Sequence, residues 1–152
     1  MSQDRKIPPF EESLAATLLG AKEAVIGPMR LQLRAYDITE PQWRVLRVIN
    51  DRGDIDATSL ADVGLLHAPS VTRILKDLEA RKLIVRQVDP SDRRRVSLIL
   101  SAEGRGVVEA VSQHVMEIMD HYAARFGADR LERLGTELRA LSAAIKDTEI
   151  YR

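Results

Sequence analysis

No cysteine occurs in the 152-residue sequence, which excludes disulfides, thiolate metal clusters, nucleophilic thiols and thiol redox sensing, since each needs a sulfur atom. Histidine is nearly as scarce. His67, His114 and His121 are far apart or wrongly spaced for one helix face, and a structural zinc site would need carboxylates to complete it. No apolar run approaches the roughly 20 residues that span a bilayer, and Met1 to Lys6 leads into no signal-like hydrophobic stretch. The expectation is a cytoplasmic protein with no membrane partner. Catalytic motifs are also missing: there is no glycine-rich phosphate loop, no His-Glu-x-x-His and no nucleophile motif with recognisable partners. The reading is a protein that is not an enzyme and takes no cofactor.

What remains is ordinary globular material, 45% hydrophobic and 30% charged, long enough for one core and too short for two of full size. The formal net charge is zero, but it is unevenly spread. Residues 68–95 hold eight basic and four acidic side chains, whereas the segments on either side each carry a net charge of −2. Such a local concentration of positive charge favours a polyanion.

Along the chain, Pro8-Pro9 closes a flexible arm over residues 1–9. From Phe10, apolar residues at spacings of three and four (Leu14, Leu18, Ala21, Val25, Met29, Leu33) predict a helix to about Ala35, with a kink or break at Gly27-Pro28. Thr39-Glu40-Pro41-Gln42 has the layout of a capping box and starts a second helix, running to about Asp51 and ended by Gly53. A short third helix spans about Thr58 to Val63. A fourth runs from Ala68-Pro69-Ser70 to about Lys82, its apolar stripe Val71, Ile74, Leu75 and Leu78.

The period then changes to two. Ile84–Val88 and Val96–Leu100 read as strands, the latter turning Val96, Leu98 and Leu100 inward, and the charged loop Asp89–Arg95 between them makes a projecting hairpin tip. After Ser101 a long helix carries Val108, Val111, Val115, Ile118 and Tyr122. Beyond Gly127 a last helix carries Leu131, Leu134, Leu138, Leu141 and Ile145 in the same rhythm. Two consecutive seams exceed what one small core requires, so the two chain ends are expected to form a helical dimer interface, with Leu14, Leu18, Leu131, Leu134, Leu138 and Leu141 in it. The fold class is mainly α with a small β-hairpin wing. Residues 37–100 form a winged helix-turn-helix, and residues 10–36 and 101–148 a helical dimerisation region.

Several stretches carry a family likeness: Leu60-Ala61, Pro69-Ser70-Val71-Thr72-Arg73-Ile74-Leu75, Leu78-Glu79, Leu83-Ile84-Val85-Arg86, Asp89-Pro90-Ser91-Asp92-Arg93-Arg94-Arg95 and Leu100-Ser101-Ala102-Glu103-Gly104. Together they resemble the MarR family of bacterial transcriptional regulators over roughly residues 10 to 145. Ser13-Leu14, Lys22-Glu23-Ala24 and Ile38 to Val45 look like the subgroup that represses homoprotocatechuate (aromatic acid) degradation operons. The resemblance implies that Arg94 enters a DNA minor groove and that Asp92 helps hold the wing. Where many family members have glycine at the end of the recognition helix, this chain has Lys82, which costs on the order of 1 kcal/mol if the left-handed turn is kept.

Ser70, Thr72, Arg73 and Lys76 lie off the apolar stripe of the fourth helix and are free to face a groove. Arg73 suits guanine O6 and N7 together, and Arg93, Arg94 and Arg95 on the wing complete the DNA-contacting set with Asp92. A small phenolic or aromatic carboxylate effector, implied by the subgroup, needs a flat apolar wall and a cationic donor, for which Trp43, Arg44, Arg47 and His67 are candidates. The expected partners are a second copy of the chain, a pseudo-palindromic duplex and that effector, with ligand-triggered release of a repressor. The competing class is a winged-helix protein-interaction adaptor without specific DNA binding.

Overall fold

The computed structural model describes residues 6–146; residues 1–5 of the arm and 147–148 of the dimerisation region lie outside the described residues. A 3₁₀ turn at Phe10–Glu12 precedes α1 (Leu14–Arg34), followed by α2 (Glu40–Arg52), α3 (Ala57–Val63), α4 (Ala68–Ala80), β1 (Ile84–Val88), β2 (Val96–Leu100), α5 (Ala102–Phe126) and α6 (Ala128–Lys146). Two compact units divide within α5, Met1–Ser112 and Gln113–Arg152. No helix among the described residues is long and apolar enough to cross a membrane.

Helix starts follow local chemistry. Ser13 splits the expected first helix from its 3₁₀ lead-in, because its Oγ accepts the Ala16 N–H at 3.1 Å while its own backbone stays extended. Thr39 and Gln42 form the full capping box of α2, and Asp56 caps α3 by accepting the Ser59 N–H at 2.8 Å. That bond and one from the Ser59 hydroxyl hold the Asp56 carboxyl below its ordinary value.

Of the kink or break expected at Gly27-Pro28, the break does not occur: α1 runs unbroken through Pro28. Proline removes one backbone donor, and at this exposed position water can take over the carbonyl it leaves free. An ion pair between Glu23 and Arg30 spans the same two turns, and Arg30 holds the Glu23 carboxyl below its usual range.

Three helices end on a non-glycine residue in the left-handed region, Asp37 (φ 54°), Leu65 (φ 54°) and Lys82 (φ 58°). Each corner is a Schellman motif. The N–H groups of Ile38, Leu66 and Leu83 reach back to the carbonyls of Leu33, Ala61 and Leu78, and those of Asp37, Leu65 and Lys82 to Arg34, Asp62 and Glu79. At the end of α3, Gly64 is right-handed and Leu65 makes the reversal. Lys82 keeps the left-handed turn without glycine's freedom. Lys82→Gly is therefore expected to stabilise the protein by about 1 kcal/mol in urea denaturation; a loss of stability would count against this account.

The core of the first unit is built from Leu33, Trp43, Leu46, Leu60, Leu75, Leu78, Leu98 and Val111, all essentially buried, with no buried charged side chain among the described residues. Strands β1 and β2 pair antiparallel, Ile84 opposite Leu100 and Val88 opposite Val96. Leu98 and Leu100 turn inward as the alternation predicts, with Val96 half-buried nearer the tip. Ile55 adds a bridge to Leu98, whose N–H donates to the Ile55 carbonyl at 2.9 Å. The candidate interface residues stay uncovered in the single chain: Leu14 is 59% exposed, Leu134 43%, Leu18 and Leu138 somewhat less, and Leu131 and Leu141 are half-buried.

Candidate nucleic-acid interface

On α4, Val71, Leu75 and Leu78 are buried, which leaves the opposite face to solvent. Ser70, Thr72, Arg73 and Lys76 all lie on that face, exposed. The exposed Thr72 hydroxyl donates to the Ala68 carbonyl at 3.2 Å. Arg73 and Lys76 make no side-chain hydrogen bond or ion pair among the described residues, which leaves both cations available.

The hairpin tip is held by carboxylates. Asp92 Oδ1 accepts the Arg94 N–H at 3.0 Å, and Asp92 O accepts the Arg95 N–H at 2.9 Å. The Asp89 carboxylate accepts the Ser91 hydroxyl at 2.6 Å and the Ser91 N–H at 2.8 Å, and these bonds lower its pKa. The stabilisation is therefore present above the ordinary aspartate range and is lost as pH falls through the depressed value. Sequence reasoning gave Asp92 this kind of role and missed Asp89 and Ser91, although an Asp-x-Ser turn is a recognisable local motif. The loop so fixed carries the exposed side chains of Arg93, Arg94 and Arg95. An ion pair between Arg86 on β1 and Glu79 on α4 links the wing to the exposed helix.

Between α3 and the wing lies an open groove of about 840 Å³, lined among others by Arg52, Ile55, Ser59, Gln87, Arg94 and Arg95. None of Trp43, Arg44, Arg47 and His67 lines it. Trp43 is 3% exposed and belongs to the core. Arg44 pairs with Glu40 at 2.9 Å and donates from Nη1 to the Gly64 and Leu65 carbonyls, both at 3.0 Å, so it fastens α2 to the turn between α3 and α4. Arg47 is exposed on α2, and His67 sits exposed at the N-cap of α4 with no capping bond from its ring.

A short helix, a tight turn, a second helix with an exposed cationic face and a two-stranded wing with an arginine tip thus belong to one unit. The model of the MarR family matches residues 36–95. The chain is 34% identical to the HTH-type transcriptional regulator FarR of Neisseria gonorrhoeae, over 89% of this chain and 92% of that one. Identity to the homoprotocatechuate degradative operon repressor of Escherichia coli is 28%, over 82% and 84% of the two chains. Among solved structures, NadR in complex with 4-hydroxyphenylacetate superposes with a TM-score of 0.77 at 32% identity, covering 90% of this chain and 96% of that one. The transcriptional regulator PA4135 superposes with a TM-score of 0.79, also at 32% identity, over 86% and 96%.

Proposed function

The chain belongs to the MarR family of winged-helix transcriptional regulators, and from that membership we propose that it works as a homodimeric, sequence-specific repressor released by a small aromatic carboxylate. The observation that carries the reading is the pair of cationic features on one unit, the outward face of α4 and the braced arginine tip of the wing. In this reading α4 enters the major groove, with Arg73 bidentate to guanine and Ser70, Thr72 and Lys76 on phosphates or neighbouring bases. Arg94 enters the minor groove, where a narrow A·T-rich segment concentrates negative potential, while Arg93 and Arg95 meet the backbone and Asp92 keeps the tip in shape.

A second copy covers Leu14 and Leu18 on α1 and Leu131, Leu134, Leu138 and Leu141 on α6. Such pairing sets the two recognition helices about 34–36 Å apart, as successive major grooves require. The effector reading is supported by two relatives, one named for repressing homoprotocatechuate degradation and one solved with 4-hydroxyphenylacetate. Of the four candidate residues, Arg44 ties ligand to DNA reading most directly. A carboxylate that takes Nη1 of its guanidinium displaces the Gly64 and Leu65 carbonyls, loosening the turn that aims α4. Trp43 contributes apolar bulk next to it in sequence, and Arg47 and His67 are exposed cationic or hydrogen-bonding partners.

The test is selection of duplexes from a randomised library, followed by fluorescence anisotropy of the enriched sequence across salt and with added 4-hydroxyphenylacetate. Expected are one enriched pseudo-palindrome, steep salt dependence from counterion release, and weaker binding with the acid. Arg94→Ala is expected to weaken binding to all sequences, and Arg73→Ala to cost about 1–3 kcal/mol at one base pair. If neither variant differs from the parent, the groove assignments are wrong. Absence of any enriched sequence would favour the protein-interaction adaptor.

A further inference from the structure

Two polar ties join α4 to the segment where α1 ends and α2 begins, and the DNA-reading roles above use neither. Gln42 accepts the Thr39 N–H on Oε1 at 2.9 Å, closing the capping box, and donates from Nε2 to Asp77 Oδ2 at 2.6 Å. Arg81 donates from Nη1 to the Asp37 carbonyl at 2.7 Å and from Nη2 to the Tyr36 carbonyl at 3.4 Å. Those carbonyls belong to the corner that ends α1, where the negative helix end favours a cation.

Positions 73, 77 and 81 recur every four residues, so Arg73, Asp77 and Arg81 lie along one stripe of α4 and its C-terminal corner. The same stripe therefore carries the candidate base reader and both anchors. Rotation of α4 about its axis, or sliding along it, breaks the ties as it moves the Arg73 fork out of register. Asp77 sharpens the point. A carboxylate on a helix that meets phosphates opposes binding, so its contribution lies in the bond to Gln42, which fixes the helix.

We propose that Asp77, with Gln42, and Arg81 are positioning residues that transmit the orientation of the α1 end to the recognition helix and so set sequence discrimination. This rests on the DNA-reading role of α4 given above. Asp77 and Arg81 act through Arg73 and touch no base themselves. The link also gives α1, which carries Leu14 and Leu18, a direct mechanical connection to the reading face.

The experiment compares Asp77→Ala, Asp77→Asn, Arg81→Ala and Arg81→Lys in the full chain, each measured by anisotropy on the enriched duplex and on a scrambled duplex of equal length across salt. Asparagine keeps an acceptor for Gln42 without the charge, and lysine keeps a cationic donor for the carbonyls. The alanine variants are expected to lower the ratio of specific to scrambled affinity about tenfold at an unchanged salt slope, whereas the asparagine and lysine variants retain most of it. Scrambled-duplex binding by Asp77→Ala is expected to equal or exceed that of the parent. The proposal is overturned if the alanine variants keep the parental ratio. It is equally overturned if the conservative variants fall with them, or if both duplexes weaken together at a reduced salt slope, the mark of direct phosphate contact. These results leave the DNA reading intact, whereas a parent protein that enriches no sequence removes both.

Discussion

Gly104→Ala is expected to destabilise the protein by about 3 kcal/mol, although alanine is the better helix former. Gly104 is buried in the first turn of α5, and a Cβ there would sit closer to the Leu83 carbonyl oxygen than real contacts allow and 3.0 Å from its carbon. Neither side can yield cheaply. The Leu83 carbonyl accepts the Ser101 N–H at 3.0 Å, and the Ser101 hydroxyl donates to the Lys82 carbonyl at 2.6 Å while accepting the Gly104 N–H at 3.0 Å. Overpacking costs about 1–3 kcal/mol, and each internal hydrogen bond disrupted adds about 1. Against these, the helix propensity of alanine returns only about 1. Gly106→Ala serves as the control: nothing lies within 4 Å of a Cβ there, so the sign is expected to reverse, with a gain of roughly 0.5–1 kcal/mol. Urea midpoints decide the matter. Equal effects at the two positions would show that the approach of α5 to the start of β1 is not tight.

The second large effect is expected from Leu134→Glu combined with Leu138→Glu. Both side chains are exposed in the single chain, so the change costs the α6 helix little by itself. If a second copy covers them, four carboxylates enter an apolar seam, where burying unpaired charge is prohibitive. The variant should then be monomeric by light scattering. Losing simultaneous engagement of two half-sites lowers operator affinity by about 10²- to 10⁴-fold, the usual gain from linkage. Dimer mass unchanged from the parent would remove this face from the interface.

What could be read from the sequence was what is encoded locally. Thr39 and Gln42 announced α2 because the capping box closes within four residues, and Gly53, at φ 74°, ended it as expected. The wing was legible because its alternation and its Asp-x-Arg tip are properties of adjacent residues. The ties between distant segments were not legible. Gln42 to Asp77 and Arg81 to Asp37 join residues 35 and 44 positions apart, and a polar pair at such separation leaves no periodic trace. The Ile55 bridge is a single pairing, too short to show an alternation. The bonds from Arg44 to the Gly64 and Leu65 carbonyls were equally hidden, because backbone carbonyls are acceptors that any sequence would offer. The continuity of α1 through Pro28 depends on solvent access at that turn, which composition does not reveal.

The corners at Asp37, Leu65 and Lys82 also bear on folding kinetics. Each closes a ring of only six residues and places the residue that follows, Ile38, Leu66 or Leu83, against the interior. Short rings carry a small closure entropy, and local contacts accelerate folding, so the angles between successive helices can be established early. The pairing that costs the most closure entropy is then that of Leu98 with Ile55, the most widely separated backbone partners of this unit among the described residues.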